Sequence, residues 1–195
     1  KKNEAQRLPT AKEIQDGNHD AYVGKVLRMN PDGSIPEDNP VLNGVKSHIF
    51  TYGHRNPQGI VVVGDKIFSS EHGPSSDDEL NLLVSGGNYG WPHVAGFQDN
   101  QSYKFIDWST APKDAAVDPN VPDPRVKVYL ESDWKAPANY KDPIKTFYTV
   151  REGYNYHDGD TYGDISYVEW PTVAPSSINY YADGPMKGWD NSILM

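Results

Sequence analysis

Ile60-Val61-Val62-Val63 is a continuous apolar run, closed by Gly64-Asp65 and answered by a second run, Lys66–Ser70. β-Branched side chains suit a pleated strand, and Gly-Asp between two such runs has the chemistry of a tight hairpin. A strand without polar alternation is expected to be buried on both faces, which restricts the chain to folds whose sheets are stacked between other layers. Polar loops flank this hairpin. Gly53-His54-Arg55-Asn56-Pro57-Gln58-Gly59 leads in, and Ser70-Glu71-His72-Gly73-Pro74-Ser75-Ser76-Asp77-Asp78-Glu79 leads out. A loop–hairpin–loop layout brings both loops to one end of two strands. That end is expected to hold an anionic or carbonyl-bearing ligand together with a hard cation.

The rest of the chain also reads as β. Strands are expected over Lys25–Met29, His48–Tyr52, Glu79–Val84, Val126–Leu130, Ile144–Val150, Asp164–Glu169, Ile178–Tyr181 and Ser192–Met195. One short helix is expected, capped by Thr10 with Glu13 three residues on and ending before Gly17. Residues 98–124 are polar and proline-rich and read as a long surface excursion. Seventeen glycines and 16 prolines point to many short turns. Sandwich, barrel and propeller all fit that pattern, and the continuous apolar runs and long loops at one end favour the propeller. At four strands per blade, about ten strands make roughly two and a half blades, too few to close a ring. Either the fold is a different one or residues 1–195 are a single incomplete domain of a larger ring.

Charge excludes one class of partner. Twenty-seven acidic residues against 18 Lys and Arg give a formal charge of −9, unsuited to a nucleic-acid phosphate backbone. With no cysteine, thiolate metal sites, disulfides and cysteine nucleophiles are ruled out. No apolar stretch approaches the roughly 20 residues of a spanning helix. The start at Lys1-Lys2-Asn3 lacks Met and a signal peptide, and reads as a processed form or an internal piece.

Five spaced segments carry a resemblance: Gly24–Pro36, Gly53–Gly59, Gly73–Asn81, Gly86-Gly87-Asn88-Tyr89-Gly90-Trp91-Pro92 and Trp170–Ser177. Together they resemble the soluble pyrroloquinoline-quinone (PQQ) dependent glucose dehydrogenases of the glucose/sorbosone dehydrogenase family. The resemblance runs over essentially the whole chain and implies an all-β, six-bladed β-propeller. Two and a half to three of the blades would lie here, as a central fragment. It further implies a periplasmic or secreted enzyme that uses PQQ and Ca²⁺ to oxidise a glucose-like aldose to its lactone. A cellular or artificial electron acceptor completes the implied partners, and a homodimer is compatible with them.

The implied residue roles follow the matching positions. Arg55 would sit beside the reactive quinone carbonyl, where a fixed cation stabilises charge developing on oxygen. Asn56 would donate to the neighbouring quinone oxygen, with Gln58 lining the pocket. Gly73 and Pro74 would offer backbone carbonyls to the cofactor's calcium. Thr172 and Tyr167 would contact the cofactor, and Tyr167 with Trp170 the sugar face. His72 stands where the family usually has Gln, and is assigned with Asp78 to the substrate side. Asp78 is also expected to orient Arg55. Tyr89, Ala95, Asp99 and Glu131 match a second, structural calcium site. The family's disulfide positions correspond to Tyr162 and Glu169, so that loop is held by other means.

By the same resemblance the catalytic histidine precedes Lys1, and a lysine and two arginines for the cofactor carboxylates follow Met195. The chain alone is therefore expected to be inactive, with the rest of the propeller supplied by missing segments or another chain. Two rival readings stay open here. One is a non-catalytic propeller that binds a ligand or protein, and the other is a calcium-binding structural fragment.

Overall fold

The computed structural model describes residues 4–115, 123–154 and 171–195. The chain is all-β, with one five-residue α-helix among the described residues, α1 (Ala11–Gln15). Thr10 and Glu13 form a reciprocal capping box: the Thr10 Oγ accepts from the Glu13 N–H, and the Glu13 carboxylate accepts from the Thr10 N–H at 2.8 Å. Arg7 adds an ion pair to Glu13 at 2.7 Å. The Thr10 N–H and then the Arg7 guanidinium hold the Glu13 carboxyl down at about 2. A depressed acid stabilises the fold above its ordinary value and loses that contribution as pH falls through its lowered one. The cap is therefore expected to persist below pH 4 and open only near pH 2. NMR titration of the Glu13 side chain checks this, and a midpoint at the ordinary carboxylate value would refute it.

Twelve strands follow among the described residues: β1 (Lys25–Leu27), β2 (Val41–Leu42), β3 (Val45–Lys46), β4 (Ile49–Tyr52), β5 (Pro57–Val63), β6 (Lys66–Glu71), β7 (Asp78–Leu83), β8 (Phe105–Asp107), β9 (Lys127–Tyr129), β10 (Lys145–Phe147), β11 (Asn179–Tyr181) and β12 (Ser192–Leu194). The central sheet has four antiparallel strands in the order β10-β7-β6-β5, and β1–β4, β2–β3, β8–β9 and β11–β12 form two-stranded ladders. The strand expected over Asp164–Glu169 lies outside the described residues. β2 and β3 flank Asn43-Gly44, both with positive φ, a turn whose twist matches a hairpin. The excursion over 98–124 is not structureless in its described part. β8 lies within it and pairs antiparallel with β9, so Phe105 faces Tyr129 and Asp107 faces Lys127.

The β5–β6 hairpin turns at Gly64-Asp65 and carries a bulge between Pro57 and Gly59. Bulges kink a strand and re-aim its side chains. Here the kink lies next to Arg55 and Asn56. Gly59 has a packing reason as well: a Cβ there would lie 2.7 Å from the backbone nitrogen of Ile178, just before β11.

The apolar run on β5 departs from expectation. Ile60 and Val62 are 56% and 66% exposed, whereas their neighbours Val61 and Val63 are half-buried. The period of two puts Ile60 and Val62 on one face, and that face is covered only further in, over β6 and β7.

The covered part of that face is polar. Register sets Ser69 opposite Asn81 and Glu71 opposite Glu79, all buried. Thr51, His54 and Tyr89 lie in the same buried layer, and the Tyr89 ring stacks on His54 at 4.6 Å. Buried polar groups cost stability unless they are hydrogen-bonded; here Thr51, His54, Glu71 and Glu79 are bonded, whereas Ser69 Oγ and Asn81 Oδ1 have no partner among the described residues.

Candidate functional site

The network begins at Glu71, the last residue of β6. Its Oε2 accepts from His54 Nδ1 at 2.9 Å, and the other ring nitrogen meets the Thr51 hydroxyl at 2.8 Å. Its Oε1 accepts the backbone N–H groups of Arg55 and Asn56, the latter at 3.1 Å. One buried carboxylate thus fixes three consecutive residues, 54 to 56, where they leave β4 for β5. A carboxylate is acceptor-only and can take all these donors at once. Across the ladder lies Glu79, whose carboxyl is pushed well above its usual range by burial and then by the charge of Glu71. Asn81 Nδ2 and the Gly96 N–H, both at 2.8 Å, hold it in place.

With its backbone pinned, Arg55 projects an exposed side chain. Its Nη1 donates to the carbonyl of His72 at 3.1 Å, and its guanidinium carbon lies 5.6 Å from the Trp91 ring centroid. The His72 N–H in turn donates to the Asn56 carbonyl at 3.2 Å. The two polar loops therefore join at one end of the β5–β6 hairpin, with Arg55 on the residue just before Gly73-Pro74. Gln58 Nε2 donates to Asn56 Oδ1 at 2.8 Å, which occupies the amide oxygen and turns the role of Asn56 toward donation.

Gly73 sits in a tight cradle. A Cβ there would meet the Ser76 carbonyl oxygen at 1.7 Å and the Asp77 carbonyl at 2.7 Å. Backbone carbonyls therefore converge on this loop, a donor set that suits a hard cation. The two carboxylates of the loop are turned to other tasks. Asp77 bonds Ser76 Oγ and Thr149 Oγ1, both at 2.6 Å.

Asp78 departs from its expected role. It is buried, and its Oδ1 accepts from Gly73 N at 3.0 Å. Its Oδ2 accepts from the Thr172 hydroxyl and from the N–H groups of Val173 and Ala174, at 2.7 and 2.8 Å. Both oxygens are occupied by loop backbone and Thr172, so Asp78 clasps two loops together instead of orienting Arg55 or facing a substrate. The carboxylate that orders the Arg55 segment is Glu71, which sequence reading does not single out. The clasp does bring Thr172 to the Gly73 loop. Tyr167 and Trp170 lie outside the described residues.

Three of the residues matched to a structural calcium, Ala95, Asp99 and Glu131, meet at one loop. Glu131 is fully buried and accepts the N–H groups of Ala95, Asp99 and Asn100 at 3.0, 3.1 and 2.8 Å. Burial pushes its carboxyl up to about 7, against the pull of those three amides. Tyr89 donates its hydroxyl to the Leu82 carbonyl at 2.6 Å. Among the described residues no three His, Asp or Glu gather as metal ligands. Ala95 and Asp99 present N–H groups to Glu131, so Glu131 staples the loop from Ala95 to Asn100.

The family model for glucose/sorbosone dehydrogenase matches residues 6–121. Quinoprotein glucose dehydrogenase B of Acinetobacter calcoaceticus is 48% identical over 200 residues, covering 99% of this chain and 41% of that protein. The aldose sugar dehydrogenase of Escherichia coli is 39% identical over 93 residues, 46% of this chain and 24% of its own length. The apo crystal structure of the soluble aldose sugar dehydrogenase from Escherichia coli superposes with a TM-score of 0.52 at 25% identity, covering 87% of this chain and 37% of that one. The chain thus spans about two fifths of the length of the first of these relatives, 41%. Its all-β architecture matches the β-propeller dehydrogenases. The family model extends over more than half of the sequence, from Gln6 to Val121, and the chain belongs to the glucose/sorbosone dehydrogenase family.

Proposed function

We propose that residues 1–195 form one incomplete propeller domain, carrying one side of the cofactor site of a PQQ- and calcium-dependent sugar dehydrogenase. The whole protein oxidises a glucose-like aldose at its anomeric carbon to the lactone and passes the electrons to a separate acceptor. The single observation that carries this reading is the hydrogen bond from Arg55 Nη1 to the His72 carbonyl, 3.1 Å, which sets a fixed cation beside the Gly73-Pro74 loop. When bound, PQQ supplies the two-electron acceptor that no side chain can provide. Gly73 and Pro74 would hold its calcium through backbone oxygens, and Arg55, Asn56 and Thr172 would contact the quinone.

The chain's own groups orient and polarise. Arg55 presents the positive charge of a guanidinium to a developing oxyanion. Asn56, its oxygen held by Gln58, donates a neutral hydrogen bond next to that charge. His54 does not take the substrate proton, because it is buried with both ring nitrogens engaged by Glu71 and Thr51. Among the described residues no helix is long and apolar enough to cross a membrane. A periplasmic or secreted location remains part of this proposal.

The test is reconstitution of the full-length protein after metal removal. Dye reduction with glucose or another aldose is expected only when both PQQ and Ca²⁺ are restored. Quinone binding without turnover on any aldose would point to a binding module, and absence of quinone binding would overturn the cofactor assignment.

A further inference from the structure

A second cleft lies apart from the Arg55 site, where the β8–β9 ladder meets the 3-10 turn Glu131–Asp133. It encloses about 270 Å³. Four aromatic rings shape it. His93 stacks on Trp134 at 5.2 Å and 11°, and meets Phe105 edge-on at 5.1 Å. Phe105 in turn stacks on Tyr129 at 6.0 Å, its partner across the ladder. Two carboxylates, Asp107 and Asp133, complete the lining.

Each carboxylate has one oxygen committed to the protein. Asp107 Oδ1 accepts from the backbone and hydroxyl of Ser109, and Asp133 Oδ2 accepts from Leu130 N at 2.8 Å. Among the described residues the second oxygen of each has no hydrogen bond. Lys127 stands opposite Asp107 in the register, yet no ion pair within 4.0 Å joins them among the described residues. Burial lowers the pKa of His93, which favours a neutral ring at neutral pH.

We propose that this aromatic cleft binds a small organic cation, such as an alkylated ammonium. Ring faces attract cations through their quadrupoles, and the two carboxylates add charge without offering a donor. The size suits a ligand of one small headgroup.

The test uses choline chloride and its neutral carbon analogue, 3,3-dimethylbutan-1-ol, each titrated at constant ionic strength. Trp134 indole resonances, assigned with Trp134→Phe, report binding. Choline is expected to give saturable shifts, and the alcohol to bind about tenfold more weakly. Asp107→Asn and Asp133→Asn keep the acceptor oxygens that serve Ser109 and Leu130, so both variants should fold and bind choline about tenfold more weakly. The wild-type comparison stands without either variant. Equal affinity for the alcohol, glucose shifting the same resonances in place of choline, or no saturation by about 100 mM would each overturn the proposal.

Discussion

Arg55→Ala in the full-length, reconstituted protein is expected to lower kcat for aldose oxidation by about 100- to 1000-fold, the usual effect of removing one donor aimed at developing oxyanion charge. kcat/KM should fall with it, because the interaction strengthens only as charge appears. Stability should barely change. The guanidinium is exposed and, among the described residues, makes one hydrogen bond, to a backbone carbonyl, alongside its contact with Trp91. The backbone N–H that Glu71 holds is untouched by the substitution. Arg55→Lys should recover only part of the rate, since an ammonium lacks the planar fork that reaches His72 O and a ligand together. Steady-state kinetics with calorimetric melting separates the two effects. Wild-type turnover in the alanine variant would remove Arg55 from the chemistry.

Glu71→Gln is expected to produce the largest loss of stability, about 2–4 kcal/mol. The amide has one acceptor oxygen where the carboxylate had two. With its N–H₂ end toward Arg55 and Asn56 their buried N–H groups lose their partner, and with it toward His54 Nδ1 the ring must switch tautomer, its Nε2–H donating to Thr51. Part of the cost is offset, because removing the Glu71 charge relieves Glu79 across the ladder and lowers its raised pKa. Activity should fall more than stability alone explains, since a shift of about 1 Å in a positioned group can cost roughly 100-fold. Denaturant titration of the folded protein, paired with kinetics well below the melting point, reads both quantities. A variant within about 0.5 kcal/mol of wild type would show that Glu71 does not organise residues 54–56.

Local elements were legible because their causes are local. The Thr10–Glu13 cap needs residues three apart, and the hairpin at Gly64-Asp65 needs a turn and two flanking runs. The same logic applies to Asn43-Gly44, whose β2–β3 hairpin carries an equally local signal. β9 lies within the strand expected over Val126–Leu130, but β8 and its pairing with β9 were not legible. β8 is three residues long and its partner lies far along the chain, Phe105 with Tyr129 being 24 apart, so no period reveals the pair. Exposure of Ile60 and Val62 was likewise hidden, because an apolar run looks the same whether one face or two are covered.

The acidic residues show where sequence reasoning stops. Asp78 stands out in an acidic run and Glu131 by its match to a calcium position, and Glu71 does not. In the fold all three are buried anchors that collect backbone N–H groups from other loops. The order of residues alone determined that this chain builds short strands, where its hairpin turns, and that Arg55 and the Gly73-Pro74 loop flank that hairpin. Which carboxylate holds which segment was decided only by tertiary packing, because a carboxylate's role depends on whether water or amides from distant residues surround it, and desolvation is not written in local sequence.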